Sequence, residues 1–499
     1  MKIQVAAKKP GNVSTDILVL GLIGRGAGSA GWGALRDLLG TSPAPLLSLQ
    51  GWKGKAGDFA TIPAPKGTRA RLIVVATLAE RGNPDRGAVR DVALRVGALA
   101  RKTGLSRVAF FLDHALAGVE RVEAWSYQEI GEGLGYGGYV FDNHLETKAE
   151  HGPADSVYAY FGGRSARDGM EGAISFGLSV ADAQNRARTL VNEPANVLNP
   201  ESYVQMARDL ATEMDLDITV LSQADCEARG MGAFLAVGQG GGYESQVVHL
   251  IHRPKKGKAR ARVALVGKAV TFDSGGLCLK PASGQATMKM DMGGSAAVFG
   301  AIAAAAAVDL QVEVHAIFAA CENMTGSKAF HTGDVITASN GKTIEVLNTD
   351  AEGRLTLADA LPYAGEQKPD YIIDLATLTG ACMVALGPSI AGLMGRNRSL
   401  NRALLQASDR AGEPFWELPL HDEYKEMLQS KVADIKNLGA RWGGALTAGL
   451  FLEEFVPKGI PWAHIDIAGP AYVESPKPTR PFGGTGFPVR ALIEWMRSL

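Results

Sequence analysis

The sequence predicts an α/β protein with a larger C-terminal domain, built on a mixed, mainly parallel sheet flanked by helices, and a smaller N-terminal α/β domain. Apolar runs typical of buried strands alternate with helical patterns in both halves of the chain. Hydrophobic residues make up 46% of the 499 residues and charged residues 21%, which is typical of globular proteins. Large α/β units absorb more length than the usual ~150 residues, so two domains fit this chain better than three.

The N-terminal half carries the weaker α/β pattern, and a long helix follows it. Its predicted strands and helix are Asp16–Ile23, Leu72–Thr77, Val108–Leu112 and Val89–Thr103. From about Gly169 a helical pattern runs to Asn192-Glu193-Pro194, and a long helix that meets a proline segment indicates a domain junction. We therefore expect an N-terminal domain over 1–165, a linking helix over 166–192 and a C-terminal domain over 193–499.

The second half carries the stronger βαβ pattern. Strands of the continuous apolar type are predicted at Val263–Val270, Val312–Ala319, Tyr371–Leu378 and Ala463–Ile467. Helices Gly294–Val308 and Leu355–Ala364 fall between them, and Asn340-Gly341 predicts a tight hairpin. Parallel strands bring their carboxyl ends to one edge of the sheet, where open α/β sheets bind ligands.

Charge, cysteines and hydropathy exclude several protein classes. The 51 basic and 52 acidic residues give a net charge of −1, which provides no global field for nucleic acid or an anionic membrane. The four cysteines form no CxxC pair, which argues against a zinc ribbon or a disulfide scaffold. The longest apolar run, Ala296–Val308, is shorter than the ~20 residues that span a bilayer, and the N-terminus lacks the apolar segment of a signal peptide. We therefore expect a cytoplasmic protein without a membrane partner.

Three local patterns invite other interpretations. Gly26–Gly31 matches GxGxxG after a predicted strand, but no acidic residue follows about 20 positions later, which favours a surface loop over a dinucleotide site. The basic run Arg253–Arg262 is predicted to be a solvated turn, with phosphate-backbone binding as the alternative. The nine histidines show no metal-ligand spacing. Those in or beside apolar strands are predicted to be hydrogen-bonded core residues, namely His249, His252, His315 and His464.

The candidate chemistry concentrates in three short segments beside predicted strands. In the first, Lys268 and Asp273 lie at the end of a buried strand, and Lys280 follows. In the second, Asp291 precedes an Ala-rich helix, so it is either an N-terminal cap or a ligand. The third, Asn348–Leu355, lies between a strand and a helix, and an extended conformation would place alternate side chains on one face. Those side chains are Asp350, Glu352 and Arg354.

Four carboxylates at strand ends, without histidine, suit one or two divalent cations bound mainly through oxygen. Two cations ~3.5–4 Å apart would need a bridging carboxylate and could hold both a nucleophilic water and a substrate oxygen. The alternative is a set of helix caps and surface ion pairs. That alternative is competitive for each segment alone and much weaker for all three together.

These segments resemble the leucyl aminopeptidase (cytosol aminopeptidase) family of dinuclear metallopeptidases. NTDAEGRL at Asn348–Leu355 is a highly specific signature, and Gly267–Pro281 and Met288–Val298 match the family's other metal-site motifs in order and spacing. Further matching motifs are Asn192–Pro200, Asp374–Gly387, Trp462–Ala471 and Thr485–Arg490. The resemblance is strong from about Asn192 to Arg490, whereas the N-terminal domain resembles the family only in general layout.

The resemblance implies a set of ligands for two divalent metal ions, Mn²⁺ or Zn²⁺. Asp273 and Glu352 would each contact both ions, Asp350 would complete one site, and Lys268 and Asp291 would complete the other. A lysine amine ligates metal only when neutral, so Lys268 would need a pKa far below the usual ~10.4. Burial and direct metal contact would have to supply that shift.

The resemblance also implies the catalytic and substrate-binding groups. Lys280 would polarise the scissile carbonyl, and Arg354 would hold a bicarbonate ion that acts as general base and proton shuttle. The carbonyl of Leu378 would belong to the environment of the Asp350-side metal. The pocket for the N-terminal side chain would be lined by Met288, Thr377, Gly380 and Ala468.

The activity implied is hydrolysis of the N-terminal peptide bond of peptides, preferably after Leu or other apolar residues, by a protein that assembles as a homohexamer. A dinuclear phosphoesterase could use the same carboxylates, but it would more often add histidine ligands and phosphate-binding loops. DNA binding, which some bacterial members of the family show, is a secondary alternative because the chain has a balanced charge and a single basic run.

Overall fold

The computed structural model describes residues 1–6, 10–24, 28–29, 31–82, 84–112, 124–160 and 167–499. They form two compact units, Met1–Asp182 and Ala183–Leu499. A single helix, Arg167–Asn192, occupies the stretch expected to link the domains, and the division between the units falls inside it. Part of the glycine motif at 26–31, including Gly26, lies outside the described residues.

The first unit is an α/β domain around one mainly parallel sheet. Its strands are β1 (Lys2–Ala6), β2 (Ile17–Ile23), β3 (Phe59–Pro63), β4 (Leu72–Ala79), β5 (Arg107–Phe111) and β6 (Ser156–Tyr160). Its described helices, besides the 3₁₀ turn Pro10–Asn12, are Trp32–Leu39, Ala44–Leu49, Arg86–Thr103 and Ala124–Gly137. Among the described residues the strand order is β1-β6-β5-β2-β4-β3, and every neighbouring pair is parallel except β3–β4.

The second unit contains the larger sheet, for which the predicted mixed, mainly parallel arrangement is confirmed. The strands of this unit are β7 (Asp217–Leu221), β8 (Gln246–His252), β9 (Arg262–Asp273), β10 (Glu313–Asn323), β11 (Val335–Thr337), β12 (Thr343–Glu345), β13 (Tyr371–Ala376), β14 (Ala391–Met394), β15 (Phe415–Glu417), β16 (Ile435–Lys436), β17 (Trp462–Asp466), β18 (Tyr472–Val473) and β19 (Gly483–Gly484). The main sheet has the order β15-β14-β17-β13-β9-β10-β8-β7. Its four central strands, β17, β13, β9 and β10, are parallel to one another.

Helices surround this sheet and connect its strands. They are Pro200–Met214, Gln223–Ala228, Gly232–Gly238, Ala282–Gln285, Gly293–Ala307, Gly353–Glu366, Gly380–Leu386, Arg398–Ala411, Gly444–Glu453 and Val489–Arg497, with 3₁₀ turns at Met288–Met290 and Asp422–Leu428. Both helices predicted between the central strands are present, and β11 and β12 form the predicted hairpin. The structure extends β9 to Asp273 and β10 to Asn323, beyond the predicted ends of both strands.

The Ala-rich helix Gly293–Ala307 packs directly on the central strands. A Cβ atom at Gly267 of β9 would overlap the backbone of Ser295, and one at Gly294 would overlap the carbonyl of Leu375. Within the described residues, the stretch Ala282–Ala307 is long and apolar enough to cross a membrane, but 83% of its apolar window is buried inside the protein. Its composition is therefore that of a helix enclosed by the core.

The histidines and the basic run lie where the sequence predicts. His249 Nε2 lies 2.9 Å from His315 Nδ1, and His464 Nδ1 lies 2.5 Å from Asp374 Oδ1. These rings and that of His252, which contacts a backbone carbonyl, are buried and hydrogen-bonded. The basic run forms the turn between β8 and β9, and acidic side chains neutralise part of it.

Candidate metal centre

The three predicted segments meet where the parallel strands β9, β10 and β13 end. Asp273 is the last residue of β9 and pairs with Asn323, the last residue of β10. The Asn323 side-chain amide donates to Asp273 Oδ1 at 2.8 Å and to the Thr349 carbonyl at 3.0 Å. Asn323 therefore connects the end of β9 to the loop that carries Asp350, which places the candidate carboxylates at one edge of the sheet.

Three carboxylates form the centre of the cluster. One oxygen from each of Asp273, Asp350 and Glu352 lies within 4.8 Å of the other two. Asp273 and Glu352 are buried, and Asp350 is partly exposed. The Gly275 amide donates to Asp273 Oδ1 at 2.8 Å, in addition to the Asn323 amide, and these two bonds orient the carboxylate.

The extended conformation expected for Asn348–Leu355 is wrong. Glu352 has helical dihedrals, φ −78° and ψ −35°, and the helix begins at Gly353. The Asp350 amide donates to Asn348 Oδ1 at 2.9 Å, a local turn that competes with an extended backbone. Asp350 and Glu352 still converge on the same cluster, because the turn and the start of the helix bring both side chains to it.

Asp291 and Lys268 join the cluster from two other elements. Met292 occupies the cap position of the following helix without a side-chain cap bond, so Asp291 does not serve as the cap. Asp291 Oδ2 lies 2.7 Å from Lys268 Nζ, and Asp291 Oδ1 accepts a hydrogen bond from the Thr377 hydroxyl at 2.8 Å. Lys268 Nζ also lies 2.8 Å from Glu352 Oε1. The ammonium group of Lys268 thus bridges Asp291 and Glu352.

Lys280 bridges the other pair of carboxylates and is closer to solvent. Its Nζ lies 2.9 Å from Asp273 Oδ2 and 2.6 Å from Asp350 Oδ1. The Lys280 side chain is 18% exposed, whereas that of Lys268 is 3% exposed. The two lysines therefore differ in their exposure to solvent. The sequence predicts that they also differ in role.

The cluster holds more negative than positive charge. Burial raises the pKa of Asp291 well above its usual value, and burial together with the charge of Asp273 raises the pKa of Glu352. Burial disfavours the charged lysines, but the adjacent carboxylates outweigh it and raise the pKa of both Lys268 and Lys280. Four carboxylates thus compete for two ammonium groups, an arrangement that a further cation would relieve.

A buried oxygen without a hydrogen-bond partner also indicates that the cluster suits a further cation. Glu352 Oε2 is buried and has no hydrogen-bond partner among the described residues. A buried carboxylate oxygen without a partner is costly, and an oxygen-rich donor set of this kind suits hard or borderline divalent cations. The residues present therefore fit a metal centre.

Two glycines are required where the segments pack together. A Cβ atom at Gly353 would lie 2.6 Å from Lys268 Nζ, so only glycine leaves room for the lysine beside the start of the helix. Gly275 has φ +89°, and a Cβ atom there would lie 2.7 Å from Asp350 Oδ1. Both positions belong to the motifs that carry the family resemblance.

The buried Arg354 side chain retains an unused donor. Its Nη1 donates to the Asn437 carbonyl at 2.7 Å, while its Nε is buried and has no hydrogen-bond partner among the described residues. Burial lowers the pKa of Arg354 to about 10. A guanidinium group with a free buried N–H suits a small planar anion.

Three of the predicted pocket residues follow neighbouring strands, and the fourth lies in the turn before Asp291. Thr377 contacts Asp291 directly, as described above, and Gly380 begins a helix three residues later. Ala468 follows β17, the parallel neighbour of β13, and Met288 begins the 3₁₀ turn that precedes Asp291. All four positions are therefore carried by loops at the carboxyl ends of the central strands or by the turn that leads into Asp291.

A fully buried side chain that was not predicted from the sequence, Asn437, holds the signature loop. Asn437 Oδ1 accepts from the Leu347 amide at 2.8 Å, and Asn437 Nδ2 donates to the Asn348 carbonyl at 2.7 Å and toward the Ala351 carbonyl at 3.4 Å. No periodic pattern marks Asn437. Asn323 was also missed, but a longer predicted strand would have placed it at the sheet edge.

Comparison with known families matches both halves of the chain. The model of the "Cytosol aminopeptidase family, catalytic domain" matches residues 185–493, and that of the same family's N-terminal domain matches residues 24–148. The chain belongs to the cytosol aminopeptidase family. It is accordingly an aminopeptidase, a hydrolase of a metal-dependent family, and the predicted family and fold class are confirmed.

Relatives with the same assignment span nearly the whole chain. A probable cytosol aminopeptidase of Picosynechococcus sp. is 43% identical over 466 residues, covering 93% of each chain. One from Sulfurihydrogenibium sp. is 40% identical over 497 residues, covering 99% of this chain and 97% of the relative.

Solved structures show the same architecture. The bottromycin maturation enzyme BotP in complex with Mn is 34% identical, with a TM-score of 0.84 over 97% of this chain and 99% of that one. A mutant of tomato leucine aminopeptidase is 33% identical, with a TM-score of 0.87 over 100% of this chain and 97% of that one.

Replacing Asn437 with Asp tests the support of the signature loop. In Asn437→Asp an oxygen would face the Asn348 and Ala351 carbonyls in place of a donor, so we expect the free energy of unfolding to fall by about 1–3 kcal/mol, with loss of aminopeptidase activity. Chemical denaturation and an activity assay measure both effects. Asn340→Asp, at an exposed hairpin tip, is the matched control and should resemble wild type. Wild-type stability in Asn437→Asp would contradict this role.

Proposed function

We propose that this aminopeptidase releases N-terminal Leu and other apolar residues from peptides, using two divalent cations and a bicarbonate-assisted proton transfer. The observation that carries the proposal is the buried cluster of four carboxylates and two lysines, with its excess of negative charge. Relatives of the chain are named cytosol aminopeptidases, and we propose the cytoplasm as its compartment.

The residues that would hold the cations are those of the cluster. They are Lys268, Asp273, Asp291, Asp350 and Glu352, and the family resemblance adds the Leu378 carbonyl to the environment of the Asp350-side metal. When bound, two divalent cations supply a water of lowered pKa and stabilise developing negative charge. Mn²⁺ is supported by the Mn complex of BotP, and Zn²⁺ is the other ion that we propose from the family resemblance.

Lys280 and Lys268 have different tasks in this proposal. Lys280, partly exposed at the rim of the cluster, donates to the oxygen of the scissile carbonyl and stabilises its negative charge as the carbonyl is attacked. Lys268 is almost fully buried, and its carboxylate neighbours raise its pKa, so the charge of bound cations would have to displace its proton before it could serve as a neutral ligand. Its side chain packs closely against Gly353 at the start of the helix, where a Cβ atom would lie 2.6 Å from Nζ.

Arg354 would hold the bicarbonate that the site needs as a base. Every carboxylate of the cluster is already engaged with a lysine, and the histidines at the core of the sheet are bonded elsewhere. The buried, unpartnered Nε of Arg354 offers an N–H for an anion. A bicarbonate oxygen there would accept a proton and return it to the leaving amine.

The preference for apolar N-terminal side chains follows from small, uncharged pocket positions. Gly380 and Ala468 occupy little volume, and Met288 supplies a flexible apolar wall. The Thr377 hydroxyl already donates to Asp291, so the apolar methyl group is the part of the Thr377 side chain that remains for the pocket. The tomato neighbour is named a leucine aminopeptidase, which supports the same preference here.

Removal of metal should abolish the activity. After dialysis against a chelator, with metal loss confirmed by elemental analysis, hydrolysis of leucine p-nitroanilide should cease and return on addition of Mn²⁺ or Zn²⁺, since carboxylate-rich sites accept several divalent ions. Glu352→Ala should bind less metal than wild type under the same conditions. Full activity of the metal-free protein would refute the mechanism.

The two lysines should respond differently to the same substitution. Lys268→Met removes a ligand, so it should lower metal occupancy, with activity partly recovered at high Mn²⁺. Lys280→Met should keep both metals but lose about 10²–10³ in kcat, without rescue by excess metal. Metal stoichiometry and kcat are the measurements.

Lys258→Met, in the exposed turn after β8, is the matched control for both variants and should leave rate and metal content unchanged. If Lys280→Met retained the wild-type kcat, the role given to Lys280 would be wrong.

We propose a homohexamer as the assembly, on the family resemblance. Sedimentation equilibrium should give a mass near six times that of the 52.5 kDa chain. A mass near that of one chain across the concentration range would contradict the assembly while leaving the proposed chemistry in place.

A further inference from the structure

Asp466 is a fully buried carboxylate at the end of β17 that the mechanism above does not use. Its Oδ1 accepts from the Leu378 amide at 3.2 Å and from the Ala468 amide at 3.1 Å. Its Oδ2 accepts from the Thr379 hydroxyl at 2.7 Å. These donors are uncharged and belong to two different loops, one after β13 and one after β17.

The bonds to Asp466 determine which way the neighbouring carbonyls point. In a planar trans peptide the N–H and the preceding C=O are antiparallel. Because the Leu378 N–H points at Asp466, the Thr377 carbonyl points away from it, and Lys268 Nζ indeed donates to that carbonyl at 3.2 Å. The Thr379 N–H also faces Asp466, at 3.5 Å, so the Leu378 carbonyl points away from Asp466 as well.

The same carboxylate connects two parts of the proposed side-chain pocket. The segment Thr377–Gly380 carries two predicted pocket residues, and Ala468 is a third. One oxygen of Asp466 bonds both the Leu378 and the Ala468 amides. Asp466 therefore connects these two loops through its side chain, in addition to the backbone hydrogen bond from the Ile467 amide to the Ala376 carbonyl at 2.8 Å.

We propose that Asp466 is a positioning residue, whose buried charge orients the Thr377 and Leu378 carbonyls toward the metal centre and holds Ala468 against the Thr377–Gly380 segment. A negative charge at the N–H ends of these peptides polarises them and makes their carbonyl oxygens stronger acceptors. Groups that orient the inner ligands of a metal site in this way govern its affinity. This inference rests on the proposed metal-dependent function.

Asp466→Asn removes the negative charge of the side chain while keeping its size and shape. The amide oxygen can still accept from the Leu378 and Ala468 amides, and the amide nitrogen can donate to the Thr379 hydroxyl oxygen. The variant thus keeps the two backbone hydrogen bonds, reverses the direction of the bond with Thr379 and loses the charge. We expect Mn²⁺ to bind about 10–100-fold more weakly, measured by calorimetric titration of the metal-free protein. We also expect a smaller ratio of kcat/KM for leucine over alanine p-nitroanilide.

Asp374→Asn is the matched control. Asp374 is equally buried, on the adjacent strand β13, and it bonds Trp462 Nε1 at 2.6 Å and His464 Nδ1 at 2.5 Å rather than the Thr377–Thr379 backbone. This variant should lower the melting temperature while leaving Mn²⁺ affinity and the leucine-to-alanine ratio at wild-type values. A loss of Mn²⁺ affinity in Asp374→Asn equal to that in Asp466→Asn would overturn the proposal.

A second pair of variants covers the case in which Asp466→Asn does not fold. Thr379→Val removes the hydroxyl that donates to Asp466 and that also accepts from the Cys382 amide at the start of helix Gly380–Leu386, whereas Thr379→Ser retains both bonds. Weaker Mn²⁺ binding in the valine variant, restored in the serine variant, supports the positioning role, whereas equal Mn²⁺ affinity in the two overturns it.

A folded Asp466→Asn with wild-type Mn²⁺ affinity and wild-type leucine preference also overturns the proposal. If wild type itself fails to release leucine, the proposed function is wrong. The Mn²⁺ titrations would still test the positioning role of Asp466.

Discussion

Compensation of buried negative charge is the constraint on which the rest of this structure depends. Four carboxylates converge at the ends of the central strands, and each of two lysines lies between a pair of them. Such a cluster is unfavourable in a protein interior unless it is paired or binds cations. The charge excess and the unpaired oxygen of Glu352 suit the binding of cations.

The topology of the sheet, together with small and neutral residues around the site, brings these charged groups together. Parallel neighbours β9, β13 and β17 end at one edge, so loops far apart in sequence meet there. Glycines allow the backbone to approach where side chains must enter, as Gly353 does beside Lys268. Around the charged groups, neutral amides such as those of Asn323 and Asn437 hold the loops in place. The polar network therefore includes residues beyond the candidate metal ligands.

Much of this could be predicted from the chain alone. Continuous apolar runs identified the central strands, because strands covered on both faces must be apolar throughout. The prediction stopped short for β9 and β10, whose last residues are polar and break that pattern although the ladder continues to Asp273 and Asn323. It was wrong for Glu352, where a local Asn348 turn and an early helix start replace the extended backbone.

By itself the sequence determined the chemical types and their order, namely carboxylates and lysines without histidine, next to glycines that permit close packing. Tertiary structure decided which groups meet. Asp291 could have been a helix cap, but Met292 occupies that position and the Asp291 side chain contacts Lys268 of β9 instead. Asn437 bonds a loop 89 residues away, and no local pattern encodes such a contact. The reason is physical: hydrogen bonds and ion pairs act over a few ångströms in space, whatever the separation along the chain.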